Sequence, residues 1–298
     1  MENIDLKTVA SEINTILSNY GISEFISESD ITCMRKFIWN NRFKRNGDNF
    51  TLETIPRLSK IIFNYYSPLP NTKETFYHYT TWNSFENIVK TKEIYLFNLL
   101  KRFSHGEYHS FYLDHDLKGY EKDDYFKDLM KDIYYISLAR PKELTIDDEF
   151  DLETSFCNGE GIRLEFSINP HIPDFRNVYY NEGKKPLYQK LLEHIKNKYD
   201  KYFVVNGLSK LGAFYLQGDF STEHETRLVI KKGTDDYSFD FEPIQSDGDI
   251  QYIKLKLEES NKYSDFHLKS IKAVHVNHDV INDLLEAYPF AEKPVIKE

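Results

Sequence analysis

The chain has 298 residues, a net charge of −10 and only two cysteines, Cys33 and Cys157. The length allows one large domain or two modest ones, the 40% hydrophobic and 15% aromatic content excludes a disordered chain, and the acidic balance gives no support to sequence-independent nucleic-acid binding. Two cysteines make no disulfide framework, no secretory leader is read in "MENIDLKTVASEI", and no apolar run approaches the about 18 residues of a membrane span, so a cytoplasmic protein without membrane contact is expected.

Residues 5–19 read as an amphipathic helix with Leu6, Val9, Ile13 and Leu17 on one face. A second helix is expected from Asp30 to Phe43, with Ser27 and Ser29 as cap candidates, and a third from Leu52 to Tyr66. The basic cluster in "CMRKFIWNNRFKRN", Cys33 to Asn46, reads most simply as a solvated helix end. "SPLPN", Ser67 to Asn71, then breaks the pattern with two prolines. The boundary is placed there, with a small helical unit over residues 1–70 and a mixed α/β domain over 71–298.

The second part opens with a strand at Thr75–Thr80, a helix at Trp82–Lys92 and a short strand in "EIYLFN". Lys101 to Asp132 is polar and aromatic, expected as helix and loop. "IYYISLAR" is a strong strand, "PKELTIDDEFDLETSFCNGEG" a loop, "GIRLEFSI" a strand and "VYYNE" a short one. A helix follows over Pro186–Tyr199. "ETRLVIKK", "DIQYIKLKL" and "IKAVHVN" are later strands, and the last helix falls at Asp279–Ala287. Strands follow one another without regular intervening helices, so the fold class is α+β and not a doubly wound parallel sheet. With 12 glycines and neither GxGxxG nor GxxxxGK[ST], the common phosphate cradles are missing from the sequence.

Four stretches carry chemistry-bearing side chains. In the first strand, alternation points His78 and Thr80 one way and Tyr77 and Tyr79 the other. A histidine and a hydroxyl two residues apart can hydrogen-bond a sugar, and a core histidine is the plainer alternative. In "FSTEHETRLVIKK", Glu223 and Glu225 alternate with His224, and Arg227 is expected on their face. That pattern suits an acid/base or electrostatic carboxylate, and equally an edge-strand ion-pair ladder. Ser137 stands in mid-strand in "YYISLAR". The histidines of "FSHGEYHSFYLDHD", His105, His109 and His115, lack a metal-ligand spacing, so no metal is expected. Cys157 has no local partner for nucleophilic chemistry.

Taken in order, His-Tyr-Thr on a first strand, a serine-bearing middle strand and Glu-x-Glu before a late strand resemble the mono-ADP-ribosyltransferase superfamily. "YHYTTWNSFENIVKTKEIYLFN", "YYISLAR", "GIRLEF", "VYYNE" and "EHETRLVI" are similar to a bacterial family of uncharacterised domains related to it, found in defence and toxin–antitoxin settings. The first motif also resembles the opening of the DarT toxins, which modify DNA bases. The resemblance spans Thr75 to Asn277. It implies a split β-sheet core that holds NAD⁺ as substrate, with no metal. It implies Glu225 as the catalytic glutamate and His78 as its partner on the nicotinamide ribose. Tyr79, Thr80, Tyr135 and Ser137 would line the cofactor pocket, and Glu223 with Arg227 would orient the acceptor. The expected acceptor is RNA, DNA or protein, with nucleic acid slightly favoured, and an antitoxin is an expected partner. NAD⁺ hydrolysis, or a binding module without catalysis, are the alternatives. Two departures from relatives stand out: only Glu107 matches their Asn-Asp-x-x-Glu element, and Phe156 takes the place of a tryptophan.

Overall fold

The computed structural model describes residues 4–35, 50–54, 56–105, 108–115, 127–128, 130–182, 187–205, 208–232, 244–247 and 250–297. They form an α+β protein that divides into two compact units. The first comprises Met1–Pro68, Arg102–Leu129 and Asn181–Gly218; the second comprises Leu69–Lys101, Met130–Tyr180 and Asp219–Glu298. No helix among the described residues is long and apolar enough to cross a membrane.

In the first unit, α1 (Leu6–Asn19) begins where the Asp5 carboxylate accepts from the Lys7 amide, and it buries Val9, Ala10, Ile13, Ile16 and Leu17. β1 (Ile31–Arg35) and β2 (Phe50–Thr54) are antiparallel, and β9 (Tyr202–Val205) adds to β2 in parallel. The helix expected over Asp30–Phe43 is therefore corrected: its first part is strand, and residues 36–43 lie outside the described residues, as does most of the basic run 33–46. The β-branched pair Ile31–Thr32, and the pairing of Cys33 with Leu52, outweigh the helical spacing read from the sequence. α2 (Pro56–Tyr66) starts later than expected for the same reason, since Leu52 belongs to β2. The unit is completed by α4 (His109–Asp114), α6 (Leu187–Tyr199) and β10 (Tyr215–Gln217).

His115, one of the histidines weighed for a metal, lies in an aromatic core of Tyr66, Phe111, Tyr188 and Tyr215. Its Nδ1 donates to the Phe111 carbonyl, so Nε2 accepts from the Tyr66 hydroxyl at 3.1 Å; the Tyr188 amide donates to the same hydroxyl at 2.9 Å. Both ring nitrogens are thus used by a neutral imidazole. Burial pushes its pKa down to about 4.

The second unit is built on a ten-stranded mixed sheet, ordered β12-β13-β4-β5-β3-β6-β14-β15, with β11 on β5 and β7 on β11. Its strands are β3 (Thr75–Thr81), β4 (Glu93–Asn98), β5 (Ile133–Ala139), β6 (Gly161–Pro170), β7 (Phe175–Asn177), β11 (Glu225–Lys231), β12 (Gln245–Asp247), β13 (Ile250–Lys256), β14 (Ser264–Val274) and β15 (Val295–Lys297). β8 (Tyr179–Asn181) stands outside that sheet. Among the described residues, only β14 and β15 run parallel within it. One face buries a large core that includes Phe76, Ile136, Leu138, Leu164, Phe166 and Leu228, joined by α3 (Trp82–Thr91) and α7 (His278–Ala287). The opposite face carries α5 (Ile146–Cys157), packed through Leu152 and Cys157 on Tyr79, Ala139 and Val274.

α5 lies where a loop was expected. Thr145 and Asp148 form a capping box at its start, and Asn158 ends it in the left-handed region at φ 50°. Gly161 then enters β6 so closely that a Cβ there would stand 2.5 Å from both the Thr80 carbonyl oxygen and the Cys157 Cβ.

Two predictions follow from this packing. Gly161→Ala should lower stability by about 2 kcal/mol or more, because a backbone carbonyl cannot step aside, as read by urea denaturation. For His115, the unfolded chain takes up a proton near pH 6.5 that the folded chain refuses until about pH 4. Stability should therefore fall across that window as the pH drops, by up to roughly 3 kcal/mol, and the fall should be shallower in His115→Gln.

Candidate functional site

The site is set by how β5 is paired. Along one edge, β11 matches it from Ile133 to Ala139 without a break. On its other edge, β4 reaches only Tyr134 and Tyr135, and β3 only Ala139, through Tyr77. Ile136, Ser137 and Leu138 have no strand partner on that edge among the described residues. The sheet is split there. The His78 ring fills part of the gap, its Nδ1 donating to the Ser137 carbonyl at 3.2 Å. Burial pushes the imidazole pKa down, with that hydrogen bond opposing, so the neutral ring is favoured.

Register decides which side chains meet. Residues directly paired across antiparallel strands point to the same side. Glu225 pairs with Ala139 and Ala139 with Tyr77; Arg227 pairs with Ser137; Tyr77 and Tyr79 pair with Glu165 and Arg163. Glu225, Arg227, Ser137, Tyr135, Tyr77 and Tyr79 therefore share the face that bears α5. His78 and Thr80 pair with Leu164 and Ile162, both in the large core. The resemblance requires His78 and Glu225 to face one cleft; strand alternation instead puts them on opposite faces, which counts against the transferase reading. Thr80 goes with His78 and is buried.

Glu225 begins β11 and is 7% exposed. Its main chain is pinned twice: its amide donates to the Tyr180 hydroxyl at 2.8 Å, and its carbonyl accepts from the Val178 amide at 2.9 Å. Its Oε2 accepts from Arg227 Nε at 3.0 Å and from a second guanidinium nitrogen at 2.6 Å. Its Oε1 has no hydrogen-bond partner among the described residues. The Arg227 guanidinium also lies 5.1 Å from the Tyr135 ring. Burial pushes the Tyr180 phenol far up, and the Glu225 charge adds to it, so Tyr180 stays protonated.

Two further parts of the reading change. Glu223 is not on the strand. It ends a 3-10 turn, Gly218–Glu223, and His224 at φ 44° breaks the alternation, so the expected face shared by Glu223 and Glu225 does not form. Instead His224 ties this turn to the start of α5. Its ring stands 3.4 Å from Glu143 and 3.8 Å from Asp148, and its carbonyl accepts from the Arg140 amide and Nε at 3.2 and 3.1 Å. Glu107 lies outside the described residues.

The sequence reading missed Tyr180 and Arg176. Tyr180 sits in "VYYNE", and nothing in that stretch marks which tyrosine reaches the glutamate. Arg176, buried, pairs directly with Arg227 across β7 and β11, so two guanidinium groups share the Glu225 face. No protein-family model matches this chain, and no curated protein or solved structure matches it either.

The ion pair generates an asymmetric prediction. Arg227→Met should destabilise the second unit by about 3 kcal/mol or more, because a buried carboxylate loses its counter-charge. Glu225→Gln should cost less, since the amide oxygen still accepts from Arg227, although the buried guanidinium then lacks its counter-charge. Thermal and urea unfolding of the two variants checks this.

Proposed function

We propose that the chain is an NAD⁺-dependent ADP-ribosyltransferase acting on a macromolecule, with Glu225 as its catalytic carboxylate. The observation that carries the reading is the state of Glu225: Arg227 fixes one oxygen, the other has no partner among the described residues, and the sheet is split along the next residues of β5. In the reaction, the bond between the ribose C1′ and the nicotinamide nitrogen breaks, and the electron pair leaves with nicotinamide. The acceptor nucleophile bonds to C1′ and gives up its proton. Positive charge builds on the ribose as the bond breaks, and a fixed carboxylate oxygen stabilises it. The same oxygen can accept a hydrogen bond from the 2′-hydroxyl. Arg227, bonded to Oε2 through two guanidinium nitrogens, holds the carboxylate in place.

Of the residues the resemblance offers for the pocket, Tyr135, Ser137 and Tyr79 share the Glu225 face and keep that part in the proposal. His78 becomes a positioning residue, holding the edge of β5 at the split. Action as a toxin or anti-phage effector rests on the resemblance alone. A second reading, a binding module without catalysis, is favoured by the two observations that depart from the expected site: Arg227 occupies part of Glu225, and His78 lies across the sheet.

The test is NAD⁺ labelled on its adenylate phosphate, incubated with the native chain, with Glu225→Gln and with His78→Phe. Glu225→Gln should lose about 100-fold or more of NAD⁺ cleavage while staying folded. His78→Phe should lose stability before it loses chemistry. Equal cleavage by native and Glu225→Gln chains would remove Glu225 from the mechanism. No cleavage by the native chain would leave the binding module, and free ADP-ribose alone would indicate a glycohydrolase.

A further inference from the structure

α5 covers the sheet through Leu152 and Cys157 but also presents large apolar side chains outward. Such a helix normally buries its apolar stripe and turns its charges to water. Here Ile146 is 87% exposed and Phe150 66%, one turn apart on the same outward side. Three of the helix's acids are already used within the unit: Asp148 caps Thr145, Glu149 pairs with Arg163 at 2.7 Å, and Glu153 pairs with Lys272 at 2.9 Å. Asp147 and Asp151 flank Ile146 and Phe150 and have neither hydrogen bond nor ion pair among the described residues. The helix dipole accounts for an acid in the first turn, at Asp147. It does not account for Asp151, nor for two large apolar side chains held in water.

The position of this face adds to its meaning. The start of α5 meets the turn that leads into Glu225, because His224 stands between Glu143 and Asp148. A chain seated on the outward side of α5 would lie on the same side of the sheet as Glu225.

We propose that the outward face of α5 docks the acceptor, and that the acceptor is a protein segment with an apolar side chain flanked by lysine or arginine. As an assignment of acceptor class, the proposal rests on the transferase reading above; as a docking surface, it is testable without it. Charge decides between macromolecules. Asp147 and Asp151 beside the apolar pair would repel a phosphate backbone, and the chain's net charge of −10 does the same at longer range. A basic segment gains from both, while Ile146 and Phe150 supply the apolar anchor that charge alone lacks.

The experiment measures binding and transfer side by side on the full chain. The binding probes are a short fluorescent peptide of alternating lysine and leucine, its lysine–serine counterpart, and single- and double-stranded oligonucleotides, all read by anisotropy. The variants are Phe150→Ser and Asp151→Lys, both exposed and neither a partner in the Glu225–Arg227 ion pair. The native chain should bind the lysine–leucine peptide, and each variant should weaken it about tenfold. The lysine–serine peptide should bind about tenfold more weakly than the lysine–leucine one. In parallel, label from NAD⁺ should pass to protein rather than nucleic acid, and each variant should reduce that transfer without changing NAD⁺ hydrolysis. Equal peptide binding by native chain and variants, equal binding of the two peptides, or tighter binding of an oligonucleotide would overturn the docking surface. Label on nucleic acid would overturn the acceptor class. Absence of any NAD⁺ cleavage would strike the transferase reading, leaving the peptide comparison to judge the surface.

Discussion

The pairing of β5 is the constraint on which the second unit depends. One edge of this strand is joined to β11 over its whole length, while the other is shared by β3 and β4, which each touch it only at an end. Continuous pairing with β11 fixes the height of Glu225 and Arg227 against Ala139 and Ser137. The incomplete pairing on the far edge leaves backbone groups that something else must satisfy, since an unpaired buried carbonyl is costly. His78 does so for Ser137. The split and the fixed carboxylate therefore have one origin, in a strand that is rigid on one side and open on the other.

That arrangement also explains why the two residues most legible in the sequence do not meet. His78 and Glu225 were read from short motifs, and each motif is sound locally: both lie on or at the head of strands. Which side of the sheet a strand residue faces depends on register, and a shift of one residue reverses it. Register comes from pairing partners far away in the chain, so "YHYT" and "EHETRLVI" cannot reveal it. Most strands of the second unit, and the α+β class, were legible because their apolar runs are long and bounded. β1 and α5 were not. Ile31–Thr32 needed β2 to be drawn into a sheet, and the charges of "IDDEFDLETSF" concealed a helix whose buried stripe is only Leu152 and Cys157. Its capping box, Thr145 and Asp148, was the signal available in the sequence.

The charge pattern of the site fits a common logic. Burying Glu225 against Arg227 costs both groups their hydration, and replacement by apolar residues would serve stability as well. In the proposed reading, the Glu225 oxygen that has no partner among the described residues is the one that meets a ligand. The outward side of α5 raises the same question in reverse, apolar groups in water with acids beside them. Both features lie on one face of one sheet, joined through the His224 turn.

The most direct measurement is a crystal structure of the chain with an NAD⁺ analogue whose glycosidic bond cannot break. The account predicts the nicotinamide ribose on the α5-bearing face, its 2′-hydroxyl within hydrogen-bond distance of Glu225 Oε1, with His78 still on the Ser137 carbonyl. An analogue held instead on the His78 side of the sheet, or one with no contact to Glu225, would contradict it.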